Sequence, residues 1–405
     1  MLLALSATFV QGEEEEHKLD LPWAKQMTYN NDPIKAAHAI RWLGDQKTND
    51  AEAIKLIVEY LGDERQSAPD HPIGVPVGPP PVGDVAAAAL KQIGVPAVPA
   101  LIKLFESNAK PEAKIRGLKA IEQFGKAGSA AFPAIAKLAT GAENLAMIKG
   151  LDEHEAEAPR QQTIYLRYHA YTALAAVATE PEKLLAALEP GLHEKDAYLQ
   201  LSAIKGFATV GTAAKKFVPE LTKLLDSEKY CNFSYADFSV GEPLAMHAAE
   251  TLASMGAEAK AALPALVKKI ADENEQVRTA AAYAHAAISG ERSPGIEVLF
   301  KELNNPKEGR EDALYDAPKY FLKLAAQGKF QDVTLPTFQK MLGHKSWTAR
   351  NDAIKGIVLL KPKNAVEMLR PLAEKAESYE NMFVKPVAID AIRALTEASS
   401  SKNQK

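Results

Sequence analysis

The chain has 405 residues, of which 47% are hydrophobic, 25% charged and 7% aromatic, and its formal net charge is −4. These proportions are ordinary for a folded, water-soluble protein, and the acidic balance excludes a general nucleic-acid binder, which needs a basic surface. The single cysteine, Cys231, cannot form an internal disulfide. That count fits a cytoplasmic protein and equally an exported protein that folds without disulfides.

The N-terminal residues 1–12, MLLALSATFVQG, form an apolar run that is followed by four glutamates. The run is too short to span a bilayer, and it resembles the second half of a secretory signal peptide without the basic region that normally precedes it. We therefore expect a signal-peptide remnant and export to the periplasm or the exterior, with the cytoplasm as the alternative. Residues 13–31, which include Trp23 and Tyr29, are expected to cap the first repeat.

Residues 246–270, MHAAETLASMGAEAKAALPALVKKI, form the clearest repeat unit of the chain. Apolar side chains recur at helical spacing before Gly256 at Ala245, Ala248, Ala249, Leu252 and Met255. They recur again after Gly256 at Leu263, Leu266, Val267 and Ile270. The pattern predicts two helices joined at a glycine, which ends the first helix because it adopts a left-handed conformation without steric cost.

Near copies of both halves recur along the chain. The second helix carries a proline near its start, where the missing N–H costs little, at Pro99, Pro133, Pro219 and Pro264. The first helix begins with an apolar residue followed by an arginine, at Arg116, Arg167, Arg278 and Arg350. A repeated period of this kind is the strongest fold signal in a sequence.

This alternation of an apolar–Arg helix, a glycine turn and a P-x-L-x-x-L helix resembles HEAT repeats, in particular the short bacterial kind called PBS-lyase HEAT-like repeats. The resemblance covers residues 32–399. It implies an all-α, right-handed solenoid of about nine helix pairs, each packed only on its neighbours. It is weak for function, because the family ranges from scaffolds to a few enzymes. Residues 400–405 are polar and expected to be disordered.

In chain order, the predicted helix pairs and the final helix cover residues 33–61, 84–139, 165–225, 242–303, 312–342, 347–376 and 384–398. Three insertions, 64–83, 140–163 and 226–241, each lie between the second helix of one pair and the first helix of the next. Equivalent turns of a solenoid stack along one edge, so we expect the insertions to gather on one rim. Loops held by a rigid scaffold commonly carry function.

The insertions supply the candidate partner-binding residues. The first is rich in proline and glycine, contains His71, and is interpreted as an ordered strap, with a polyproline II segment that meets a partner as the alternative. The second contains His154 among acidic residues. The third is the most aromatic loop of the chain, with Tyr230, Phe233, Tyr235 and Phe238. Such aromatics are enriched at interface hot spots, although they could equally cover the gap that the insertion opens.

Catalytic and metal-binding patterns are weak. No H-E-x-x-H motif and no cysteine cluster occurs. The His-Glu dyads at His154 and His193 do not occupy equivalent repeat positions, unlike those of the di-iron deoxyhypusine hydroxylases, and His247 and Glu250 have a different spacing. We therefore expect no metal and no cofactor. The acidic runs are interpreted as solvated rather than as calcium sites.

The four repeated arginines could form a basic ladder for an acidic ligand. The preferred interpretation is a structural ladder in which each arginine pairs with a carboxylate or carbonyl of the adjacent repeat.

These patterns favour a non-enzymatic protein-binding scaffold that holds a protein partner on its loop-bearing rim or concave face. The alternative is a HEAT-like enzyme, either metal-dependent and hydroxylase-like or lyase-like. A third hypothesis, a DNA-base glycosylase, is disfavoured by the net charge of −4. Neither a nucleic-acid partner nor a transmembrane segment is expected.

Overall fold

The computed structural model describes residues 20–29, 32–68, 78–141, 153–231, 241–304, 316–375 and 379–402. Within these ranges the chain is almost entirely helical, and its extended elements are two short strands and one isolated bridge. The chain divides into two compact units, Met1–Gly206 and Phe207–Lys405. The observed fold is the expected all-α solenoid of paired helices.

Unit 1 contains α1 (Leu21–Thr28), α2 (Pro33–Asp45), α3 (Ala51–Glu59), α4 (Val82–Ile93), α5 (Val98–Glu106), α6 (Pro111–Glu122), α7 (Phe132–Thr140), α8 (Glu153–Val177), α9 (Pro181–Leu192) and most of α10 (Ala197–Val210). The first helices of successive pairs, α2, α4, α6 and α8, pack side by side as one layer. The second helices, α3, α5, α7 and α9, pack as the other layer. The core lies between these two layers.

Unit 2 contains α11 (Val218–Leu224), α12 (Leu244–Ser254), α13 (Leu263–Lys269), α14 (Glu275–Ser289), α15 (Gly295–Asn304), α16 (Asp316–Ala326), α17 (Gln331–Met341), α18 (Trp347–Leu360), α19 (Ala365–Glu374) and α20 (Tyr379–Lys402). Its first helices, α12, α14, α16, α18 and α20, again pack in series. Two strands, β1 (Tyr230–Cys231) and β2 (Glu242–Pro243), pair antiparallel with Tyr230 opposite Pro243.

The repeat unit around Gly256 forms largely as its sequence predicts. All five apolar residues predicted on the first helix are at most 2% exposed, and Gly256 has a φ of +56°. Pro264 lies in the first turn of α13. A short 3-10 helix, Gly256–Ala262, separates the two α-helices and was not predicted. Val267 is 47% exposed, because seven residues of α13 offer only a narrow apolar stripe, in which Leu266 is buried.

Close approach of α17 and α18 depends on a glycine. Gly356 lies on the buried side of α18, where an added Cβ would be 2.4 Å from the ring of Phe338. Phe338 is fully buried. A side chain at position 356 therefore cannot fit without displacing this ring.

Two predicted boundaries were wrong. Residues 153–163, placed in the second insertion, belong to α8, so the dyad at His154 lies on a helix rather than in a loop. The run EHEAEAPRQQ is rich in strong helix formers, which favour the early start, and Pro159 within it opposes helix formation because it lacks a backbone N–H. The final helix α20 extends to Lys402 and includes part of the tail that was expected to be disordered.

The signal-like residues 1–12 lie outside the described residues. Among the described residues, no single helix is both long and apolar enough to cross a membrane, and one bent pair, α4 with the segment 95–106, passes on length and composition alone.

Candidate functional site

The two repeated arginines of unit 1 bind main-chain carbonyls at the ends of second-layer elements. Arg167 Nε donates to the carbonyl of Ala139 at 2.8 Å, in the last turn of α7, and its guanidinium also pairs with Glu194. Arg116 Nη1 donates to the carbonyl of Leu61 at 2.9 Å, and its Nε donates to Asp84 at 2.7 Å. Carbonyls at helix ends lack an intrahelical partner, so each arginine satisfies one while it joins two repeats.

The two repeated arginines of unit 2 have the same kind of partners. Arg278 Nη1 donates to the carbonyl of Asp272 at 2.7 Å, and its Nε pairs with Glu302 at 2.8 Å. Arg350 Nη1 donates to the carbonyl of His344 at 2.8 Å. Both carbonyls follow the end of a second helix, α13 or α17. In all four cases the guanidinium donates to a main-chain carbonyl of the chain itself, and the role of the four arginines as a structural ladder stays a prediction.

Of the six predicted partner-binding residues, the structure places the side chain of one. Tyr230 lies in β1, is 49% exposed, and accepts a hydrogen bond from the Asn274 amide at 3.0 Å. His71, Phe233, Tyr235 and Phe238 lie outside the described residues, as does the side chain of His154. The loop-bearing rim therefore remains a prediction.

A charged cluster lies beside strand β2 in unit 2. His247 Nε2 is 2.8 Å from the Glu242 carboxylate of β2, and its Nδ1 is 3.9 Å from Glu250. Glu250 in turn pairs with two lysines of α16, Lys323 at 2.9 Å and Lys319 at 3.4 Å. The cluster thus connects β2 to α12 by a hydrogen bond and α12 to α16 by ion pairs.

Two stacked tyrosines lie beneath these lysines. The rings of Tyr283 on α14 and Tyr320 on α16 have centroids 4.8 Å apart at an interplanar angle of 12°. Lys323 Nζ lies 5.6 Å and 5.4 Å from the two centroids, within range of a cation–π interaction. Gln327 donates to the Tyr283 hydroxyl at 3.0 Å. The stack extends the cluster through α14.

Two side chains of the cluster, Tyr283 and Glu250, each keep one protonation state near neutral pH. Burial, reinforced by the negative charge of Glu250, raises the pKa of Tyr283 to about 12, so this phenol stays protonated at neutral pH. Burial opposes ionisation of Glu250, but the charges of Lys319 and Lys323 outweigh it and the pKa of this carboxyl is lowered. Neither group is therefore poised to exchange protons near pH 7. Within the described residues, no group of three or more His, Cys, Asp or Glu side chains is arranged to hold a metal ion.

The sequence identified His247 and Glu250 but missed the lysines that complete this cluster. Lys319 and Lys323 are four residues apart and therefore share one face of a helix, which is a readable signal. Their partner on α12 is distant in sequence and could be known only from the packing.

An open groove of about 940 Å³ runs between α3 and α5 in unit 1, and we call it the α3–α5 groove. Buried apolar side chains form its floor, among them Ile54, Val58 and Leu104. Charged side chains line its edges, namely Glu52, Lys55, Glu59, Asp63, Lys103 and Lys110. An apolar centre with a polar, solvent-accessible edge is the general anatomy of a protein–protein interface.

A second set of repeated residues lies on the second helices and was not predicted. A lysine follows each marker proline by four residues, at Lys103, Lys137, Lys223 and Lys268. All four are exposed, and they lie in the last turns of α5, α7, α11 and α13. This regularity is readable from the sequence, since each lysine stands at the same distance from a proline that recurs in the repeat.

Comparison with known proteins identifies the fold of the chain but not its family or its activity. No family model and no curated protein matches the chain. Importin beta crystallised in ammonium sulfate matches with a TM-score of 0.51 and 11% identity over 91% of this chain and 52% of importin beta. Importin beta crystallised in polyethylene glycol gives 0.50 and 11%, over 92% and 54%. The chain thus spans about half the length of these structures.

A third match is the CpcE–CpcF complex of phycocyanin lyase from Nostoc sp. PCC7120, with 15% identity over 96% of this chain and 98% of that chain. Its TM-score of 0.25 is too low to support an argument. Three observations agree on the fold: the repeated helix–glycine–proline-helix unit, its packing in two layers, and the structural similarity to importin beta. Together these observations show that the chain has an all-α solenoid fold built from HEAT-like helical repeats.

Proposed function

We propose that this chain is a non-enzymatic scaffold that binds a segment of a partner protein in the α3–α5 groove. The observation that supports the proposal is the groove itself, with an apolar floor and charged edges between two helices. A groove bounded by two neighbouring helices suits a helical or extended segment laid along it. A small ligand would instead require a concave site that encloses most of its surface.

The other conspicuous polar groups have partners within the chain. The four ladder arginines bind main-chain carbonyls, and the Glu250 cluster joins helices of unit 2. In the α3–α5 groove, by contrast, apolar surface is open to solvent and the edges carry charge.

Site-specific photo-crosslinking tests this proposal. The full chain would carry p-benzoylphenylalanine in place of Lys103, which lines the groove, and be irradiated in extract of the native organism. The matched control places the same residue at Glu106, which is exposed on the same helix but does not line the groove. A third variant places it at Lys55 on the opposite wall.

We expect one protein adduct, identical by mass spectrometry, from positions 103 and 55 and no such adduct from position 106. Absence of an adduct at both groove positions, or equal yields at all three positions, would contradict the proposal.

A further inference from the structure

The charges along the α3–α5 groove are unequally matched. On the α3 side, Glu52 pairs with Lys25 at 2.6 Å, Asp63 pairs with Arg65 at 2.6 Å, and Lys55 and Glu59 approach to 3.7 Å. On the other side are Lys103 and Lys110, both exposed. Among the described residues, neither of these two lysines forms an ion pair, so one edge of the groove carries positive charge without a counter-charge.

Helix stability explains the presence of only one of these two lysines. Lys103 is in the last turn of α5, where a cation interacts favourably with the helix dipole. Lys110 is the N-cap residue of α6, and its side chain makes no capping hydrogen bond. A cation at a helix N-terminus is electrostatically unfavourable, and Ser, Thr, Asp or Asn is the preferred residue there. Lys110 therefore departs from the usual N-cap preference, and such departures are expected at functional sites.

The positive character continues onto the next repeat. Lys137 occupies on α7 the position that Lys103 occupies on α5, and Lys126 lies in the 3-10 helix that precedes α7. The second-layer segments 95–107 and 125–141 contain these three lysines against one acidic residue, Glu106. This surface is therefore basic although the chain as a whole has a net charge of −4.

We infer that the segment bound in the α3–α5 groove is acidic and amphipathic, with apolar side chains on the groove floor and carboxylates facing Lys103 and Lys110. This inference rests on the proposed function and names the chemistry of the partner. The apolar contacts supply affinity, and the lysine edge selects charge and orientation and accelerates encounter at low salt.

Peptide display against the full, folded chain tests the inference. A random library of 16-residue peptides is selected in parallel on the wild type, on Lys103→Glu/Lys110→Glu and on Lys268→Glu. The last variant changes the same last-turn position in α13, remote in sequence from the groove, and controls for the helix-dipole effect. Circular dichroism of each variant confirms that it is folded, and Lys103→Gln/Lys110→Gln removes the charge without reversing it.

The wild type should enrich peptides that combine net negative charge with apolar residues at helical or alternating spacing. Reversal of both lysines should weaken binding of the best peptide at least about tenfold, because at two positions a modest attraction is replaced by a repulsion. Lys268→Glu should change the Kd of that peptide less than about twofold. Enrichment of neutral or basic peptides, or an unchanged peptide affinity after charge reversal, would overturn the inference but would not contradict the proposed scaffold function. Failure to enrich any peptide, together with no crosslink at position 103, would overturn the proposed function itself.

Discussion

Replacement of Arg167 by leucine tests the role of the arginine ladder. The Arg167 side chain is only 6% exposed, and its guanidinium binds both the Ala139 carbonyl at the end of α7 and the Glu194 carboxylate. Leucine keeps the apolar contacts of the side-chain stem but removes every donor. The carbonyl of Ala139, a fully buried residue, then loses its partner, and Glu194 loses its counter-charge.

The expected cost follows from these two losses. A hydrogen bond to a charged group contributes roughly 1.5–3 kcal/mol, and loss of one member of a buried ion pair costs roughly 3–5 kcal/mol. Because the Glu194 side chain is 24% exposed, water compensates part of its loss. We therefore expect Arg167→Leu to lower the free energy of unfolding of unit 1 by about 3 kcal/mol, and Arg167→Lys by about half of that, since an ammonium cannot reproduce the planar fork.

Urea unfolding followed by circular dichroism measures the change. Hydrogen exchange of the amides of α7 and α8 assigns it to unit 1, because a repeat protein can unfold in parts. The matched control is Lys183→Ala on α9, which removes an exposed pair with Glu180 whose side chains are 66% and 59% exposed. Exposed pairs of this kind contribute about 0.5 kcal/mol or less.

Equal destabilisation by Arg167→Leu and Lys183→Ala would contradict the prediction that Arg167 stabilises the contact between adjacent repeats. In that case the repeated arginine would not hold adjacent repeats together, and its recurrence in the sequence would need another explanation, such as an acidic ligand.

Two further predictions concern unit 2. Because the pKa of Glu250 is lowered in the folded protein, the stability that it contributes is fully present above its unfolded pKa and is lost as pH falls through the folded value. Acid unfolding curves should therefore show a smaller loss of stability at low pH for Glu250→Gln than for the wild type, and parallel curves would contradict this. Gly356→Ala should destabilise by about 1–2 kcal/mol, because overpacking against Phe338 exceeds the gain in helix propensity. Gly343→Ala, where an added Cβ meets nothing closer than 3.7 Å, should change unfolding by less than about 0.5 kcal/mol. Substitution of Phe338 by leucine should rescue the first variant and have no such effect on the second.

The sequence alone determined the repeat, and with it the fold class. Helical spacing, the glycine at position 256 and the proline at position 264 act within a few residues, so local physics places the helices and their junction. The arginine near the start of a first helix is also a local signal, and at Arg167 it donates to the carbonyl of Ala139 in the preceding repeat.

The tertiary structure alone decided which residues meet. The pairing of Glu250 with Lys323 joins positions on α12 and α16 whose distance depends on the packing of α14 between them. The α3–α5 groove is likewise a property of two helices together, since neither helix presents a concave surface by itself. Periodicity specifies the face that each helix buries, but the depth of a groove and the partner of a charge depend on how far apart two such faces come to rest.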